Sequence, residues 1–441
     1  MGKMFQNIDL SHTLRALQNR NYRLYCYGQG ISLVGTWAQR VAVGWLVYRL
    51  TGSALMLGIV GFVGDIPTAV FAPIAGVLAD RLDRFRVIVL VQSLAMLQAF
   101  ALAALVLADV VEIWHILVLM FISGLLTAFD IPSRQSFMVE LIERREDISN
   151  AVALNSSLVT GARLIGPSIA GLLIATVGEG ICFLVNAVSY FAVIGCLIAM
   201  KIKPFQPAAK KSEVMGDLKQ GVSYVFGFPP MRSIVLLLGL VSLMGVPYQV
   251  LMPIFAKDIL QGGPSTLGFL MGASGAGAFL GAFYLASRRS IWGLENYIAV
   301  ATWIFGIALL AFAFSSMLWL SLLLMVVTGF GMMSQMASCN TMLQSLAEDD
   351  KRGRVLSFYA IAYRGMYPVG CFMAGVLADS IGAPATLWIG GVCVLGGGAW
   401  YTRALPGLRA AIHEVFTKFG FPKEDVPDPV AASEPPVALE E

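Results

Sequence analysis

The stretch Gly76–Arg86, GVLADRLDRFR, places Asp80, Arg81, Asp83, Arg84 and Arg86 between two long, largely apolar runs, 59–79 and 87–108. Each run is about 20 residues, the length at which a helix crosses a hydrocarbon core of about 30 Å. The charged hinge therefore marks a return from the bilayer to water. The rest of the chain agrees: of 441 residues, 57% are hydrophobic and 13% charged, against roughly 25% charged in soluble domains. Mean hydropathy is +0.76. The class is an all-α polytopic membrane protein. Continuous apolar runs exclude a β-barrel, whose strands alternate over segments of about 10 residues.

Twelve candidate spans follow: 22–48, 54–79, 87–108, 114–140, 149–176, 181–200, 232–256, 264–287, 296–314, 317–346, 353–379 and 384–403. The opening segment is polar for too long to be a cleaved signal peptide, and residues 9–22 read as an amphipathic helix on the membrane surface. Lys and Arg concentrate in the N-terminus, the even-to-odd loops, the 201–232 segment and the tail, while the opposite loops hold only Arg49 and Lys257. By the positive-inside rule both termini are cytoplasmic. No basic patch calls for nucleic acid. The six cysteines lie in or beside apolar spans without ligand spacing, so no metal or cofactor is expected.

Residues 201–231 form the one long polar interruption and divide the spans six and six. The expected organisation is a bundle over 1–200, a cytoplasmic linker over 201–231 holding a short surface helix, and a second bundle over 232–403. The linker helix should carry Val214, Leu218, Val222 and Val225 on one side, and 404–441 reads as an interfacial helix plus a disordered acidic tail. The halves echo one another at an offset of 204–205 residues: Gly76 and Gly281, Gly124 and Gly329, and GPSIAGLL (166–173) with GCFMAGVL (370–377). A parallel repeat of this kind belongs to a transporter whose halves rock about a site between them. Spans 3, 6, 9 and 12 lack interior charge and proline, so they are placed at the periphery.

Ionisable residues inside a membrane are functional candidates. Arg40 and Asp65 each lie 12 or 13 residues from the turn at Ser53, near the midplane at 1.5 Å per residue, so a pair is expected, with Gln39 and Trp37 beside it. Asp130 and Arg134 share a face of span 4, and Arg163 on span 5 comes to a depth where it meets Asp130. Tyr248, Gln249, Arg364 and Tyr367 supply polar groups from the second half. A carboxylate that moves toward and away from an arginine can bind and release a proton. Asp130 is the expected proton carrier and Asp65 its rival.

The opening stretch resembles the loop 2–3 signature of the major facilitator superfamily, G-x-L-A-D-R-x-G-R-R/K, through Gly76, Leu78, Ala79, Asp80, Arg81 and Arg84. Asp83 replaces the second glycine and Phe85 a basic residue. An acidic residue there is similar to the branch that includes the enterobactin exporter and related efflux proteins, as are residues 35–53 and 129–173. The resemblance implies the major facilitator fold, twelve helices in two parallel six-helix repeats. It also implies a conformational latch, in which Asp80 faces the start of span 11 and the loop arginines reach Glu140 at the foot of span 4. RLIGPSIAG (163–171) loosely resembles the span-5 motif of drug antiporters, with Gly166, Pro167 and Gly171 as hinge and packing residues.

No phosphate-binding G-x-x-x-x-G-K-[ST] loop occurs, so transport is downhill or ion-driven. The expected function is proton-coupled export of an amphiphilic small molecule, a siderophore or drug-like compound, by a monomer in the bacterial inner membrane. Its partners are the cargo, protons and the bilayer. The alternatives are a lysolipid or solute transporter, uptake included, and a non-transporting sensor. No nucleophile–base pair or metal cluster favours an enzyme.

Overall fold

The computed structural model describes residues 15–142, 144–202, 214–288 and 290–419, apart from the side chains at 73, 77, 79–81, 145 and 214–219. Of the expected surface helix over 9–22, residues 9–14 fall outside them; the remainder is a 3-10 turn, Arg15–Gln18, followed by the start of the helix Arg20–Thr51. The acidic tail beyond 419 also lies outside.

Among the described residues, nine helices are long and apolar enough to cross a membrane. One of them, Ile148–Ile198, is two runs that meet at Gly178, where φ is 84° and ψ is 170°; it carries spans 5 and 6. Only glycine takes that backbone without strain. Span 2 is Ala54–Arg81, span 3 Arg84–Leu107, span 4 Ile113–Glu140 and span 7 Pro229–Ile259. Spans 8, 9 and 10 are Pro264–Ser287, Leu294–Ala313 and Leu318–Leu346, and span 12 lies in Ala383–Lys418. Spans 1 and 11 are not among the nine. Arg20–Thr51 carries four arginines. Span 11 is divided into Arg352–Ala360, a π turn at Ile361–Gly365, and Met366–Ile381.

The short loops are fixed by local chemistry. Gly52, at φ 61°, ends span 1, and the Ser53 hydroxyl accepts from the Met56 N–H to begin span 2. Asp83, one of the two residues that depart from the family signature, caps span 3 by accepting from the N–H groups of Phe85 and Arg86. Asp83→Ala is expected to cost about 1 kcal/mol of stability, read as a lower unfolding midpoint in detergent, while Asp83→Asn stays near wild type.

The internal repeat now has a physical meaning. Gly124 lets span 4 press on span 2, where a Cβ would sit 2.1 Å from the Gly64 carbonyl oxygen. Its counterpart Gly329 brings span 10 onto span 8, 1.9 Å from the Ser274 oxygen. The second glycine of each octapeptide does the same between the halves. Gly171 on span 5 meets Gly268 on span 8, and Gly375 on span 11 meets Gly58 on span 2. Gly166 seats Trp37 of span 1, since a Cβ there would lie 2.6 Å from the Trp37 Cβ. Spans 7 and 11 also repeat a device, π turns at Val241–Gly245, Phe255–Ile259 and Ile361–Gly365, each close to Pro247, Pro253 or Pro368. Such wider turns absorb the hydrogen bonds that proline removes.

Two further expectations change. The linker helix, Val214–Gly227, buries Val225 fully but leaves Val222 exposed, because it docks on one line of contacts against span 11, Gly221 and Phe226 on Phe358. Beside it Lys351 lies 4.7 Å from the Tyr224 ring centroid, and its hydrogen bond holds the Glu348 carboxyl below the usual carboxylate range. The tail segment is no separate interfacial helix up to residue 418: it continues span 12 through Pro406 and sets Phe416 edge-to-face with Trp292.

Candidate functional site

A cavity opens between the halves, walled by Trp37, Gln39, Arg40, Asp65, Gln249 and Tyr367 among apolar neighbours such as Leu57, Val60, Leu267 and Met271. Spans 1, 2, 4, 7, 8 and 11 build it, and of the four spans placed at the periphery only span 6 reaches it, through Asn186 and Tyr190. The end farther from the basic loops is sealed. There Tyr48 donates to Asp258, Lys257 lies 5.3 Å from the Tyr48 ring centroid, and Ser53 donates to Asp379 at 3.4 Å. The Gly58–Gly375 and Gly171–Gly268 contacts close the same end. Toward the basic end, no described atom outside the local helix turn lies within 4 Å of where a Cβ would stand at Gly76 or Gly161.

Nearly equal counts from the Ser53 turn bring Arg40 and Asp65 together. An Arg40 Nη lies 3.2 Å from an Asp65 oxygen, with the arginine side chain 48% exposed and the aspartate 26%. This is one water-facing contact in the cavity wall. Gln39 behind it accepts from Asn186 at 2.6 Å and donates to Gln98 at 3.2 Å. That amide chain ties spans 1, 3 and 6 and orients the neighbouring Arg40.

Asp130 is held differently, and here the expected contact with Arg163 does not occur. Arg134, one turn further along span 4, donates to both Asp130 oxygens at 2.6 to 2.9 Å, and Gln92 adds a bond at 2.9 Å. Side-chain exposures are 14% for Arg134 and 19% for Asp130, and neither lines the cavity between the halves. A partner on the same helix face wins over one across helices because backbone geometry already delivers it. Arg163 instead stacks against Trp37, 5.4 Å from the ring centroid, with Met332 sulfur 3.9 Å away.

The second-half candidates divide as well. Gln249 and Tyr367 line the cavity, whereas Tyr248 is buried and bonded to Ser274 at 2.6 Å. Arg364 is exposed and forms no ion pair with a described carboxylate. At the basic end Arg84 pairs with Glu140. The side chains of Asp80 and Arg81 lie outside those described. No cluster of described His, Cys, Asp and Glu side chains has the arrangement of a metal site.

Asn186, Gln98, Gln92, Tyr48, Asp258 and Asp379 were not legible as site residues. Uncharged amides and loop carboxylates carry no periodic signal, and their roles depend on what the other helices bring opposite them.

Residues 11–439 match the family model described as transmembrane secretion effector. The chain is 26% identical to the staphyloferrin A transporter of Staphylococcus aureus over 82% of its length and 90% of the relative's. It is 27% identical to the multidrug efflux pump Tap of Mycolicibacterium fortuitum, over 81% and 88% respectively. With macrolide efflux protein A of Streptococcus pyogenes it shares 21% identity, over 85% and 94%. Among solved structures, a POT family transporter in complex with thioalcohol conjugated peptide superposes with a TM-score of 0.69 at 12% identity, over 88% of this chain and 96% of that one. A mutant of the nucleoside transporter NupG does so with 0.67 at 13% identity, over 87% and 98%. Both likenesses are of fold.

Proposed function

Because the chain belongs to the transmembrane secretion effector family of major facilitator transporters, we propose that it exports an amphiphilic small molecule, a siderophore or drug-like compound, across the bacterial inner membrane in exchange for protons. The observation that carries this reading is the cavity between the halves, mostly apolar, with few polar groups and a sealed far end. The basic loops put that sealed end on the outer side and both termini in the cytoplasm. Alternating access then consists of parting the glycine contacts at the outer end while the basic end closes. The loop around Asp80 and Arg81 is the latch for that second state, and the Arg84–Glu140 pair, already formed here within the first half, holds that loop in place.

Asp65 rather than Asp130 is the proton carrier on this reading. Both have arginine partners, but the Asp65 contact is single, water-facing and in the cavity wall, while Asp130 is chelated and packed. A protonated Asp65 no longer holds Arg40, so proton binding changes the wall that cargo meets. In inverted vesicles acidified inside, a fluorescent amphiphile should accumulate and leak back on protonophore addition. Asp65→Asn should abolish that accumulation yet preserve exchange of bound for free amphiphile. Accumulation that ignores protonophore but needs ATP overturns the reading.

A further inference from the structure

Near the middle of the spans, Arg40 has Asp65 and Arg134 has Asp130. Arg163 has no carboxylate partner among the described residues. Its contacts are a ring face and a thioether sulfur, the weakest of acceptors. A guanidinium offers five N–H donors, and stacking on an indole satisfies none of them. A cation left in this condition inside a bilayer is costly, and an arriving anion relieves the cost.

The position is built rather than loose. Span 8 crosses span 5 so closely at Arg163 that a Cβ on Gly275 would sit 2.5 Å from the Arg163 carbonyl oxygen. One turn on, Gly166 clamps Trp37. Trp37 lines the cavity, and the guanidinia of Arg40 and Arg163 each lie 5.4 Å from its ring centroid. Two cations thus flank one indole, and Asp65 neutralises only one. Gln249, which also lines the cavity, reaches the same Met332 sulfur at 3.8 Å.

Arg163 is not itself a wall residue, but it is partly exposed and lies against Trp37, which is. We propose that Arg163, seated on Trp37, is an anion-binding group reached from the cavity and that the cargo is an amphiphile bearing a carboxylate. The planar oxyanion takes the guanidinium fork, and the apolar body lies along Leu57, Val60, Leu267 and Met271. This rests on the cavity being the cargo site, as proposed above.

The test is equilibrium binding to the full chain in nanodiscs, with no gradient. Dansylglycine carries the carboxylate, dansylglycinamide is its neutral match and dansylcadaverine its cationic one. Emission is corrected with empty discs. Dansylglycine is expected to bind roughly tenfold or more tighter than the amide, as a charge-assisted hydrogen bond provides. Arg163→Gln should bring that ratio close to one, with the larger loss falling on dansylglycine. Arg163→Met, which keeps an unbranched chain against Met332, should do the same and serves if the glutamine variant fails to fold. Equal binding of all three probes to the wild type overturns the proposal, and so does a carboxylate preference that survives both variants. If the preference holds but vesicles accumulate no probe, the transport reading fails and the anion site stands.

Discussion

Replacing Gly58 by leucine is expected to force open the sealed end of the cavity. A Cβ on Gly58 would lie 2.7 Å from both the Cys371 carbonyl oxygen and the Gly375 Cα, backbone atoms that have no rotamer to yield. Overpacking of this kind costs about 1–3 kcal/mol in a fixed core. Here the two surfaces belong to different halves, so the cost falls on the closed arrangement alone and shifts the equilibrium about 5- to 150-fold toward the open one. Cys371 reports the change, being fully buried at this contact. In a chain whose other cysteines are serine, a membrane-impermeant maleimide applied from the far side should label Cys371 faster in Gly58→Leu than in the parent. Net transport should fall sharply. Gly171→Leu should act alike through Gly268 and the Pro264 oxygen, since the same glycine contact is made twice by the repeat. Unchanged labelling with unchanged transport would show that the sealed end does not part at these glycines.

Asp130→Asn should destabilise the folded chain by about 3–5 kcal/mol, because it leaves the Arg134 guanidinium packed without its anion. Asp130→Asn combined with Arg134→Gln should recover most of the loss, and equilibrium unfolding of both variants in mixed micelles measures the difference. Proton-driven accumulation by the surviving Asp130→Asn protein should persist. A variant as stable as the wild type that no longer concentrates cargo would return the proton-carrying role to Asp130. The contrast with Asp65 follows from surroundings: the proposal gives two carboxylates of one chemical type opposite duties, on the number and dryness of their hydrogen bonds.

Some of this could be read before any coordinates. The apolar runs give the membrane class because their length answers directly to the bilayer, and GVLADRLDRFR with the internal repeat gives the transporter family. Arg40 and Asp65 could be paired because two helices leaving one tight turn at Ser53 reach similar depth at nearly equal residue counts. Arg84 and Glu140, implied by family resemblance, also meet. The repeat could be seen in Gly171 and Gly375, but not that each glycine holds the two halves together.

What the tertiary structure decided is which neighbours each polar side chain meets across helices. Asp130 stood at a depth that fitted Arg163, yet depth fixes only one coordinate of three. Rotation about the helix axis sent Asp130 to Arg134 and Gln92, and turned Arg163 to Trp37. Tyr248 and Gln249 are adjacent in sequence, but a helix turns by about 100° per residue, so one is buried against Ser274 and the other lines the cavity. Sequence alone determined the spans, their order and their charges, since these depend on local length and composition. The seat of Arg163 on Trp37 and the sealed end emerged only from packing, because the partner a side chain finds is a property of every helix that surrounds the site.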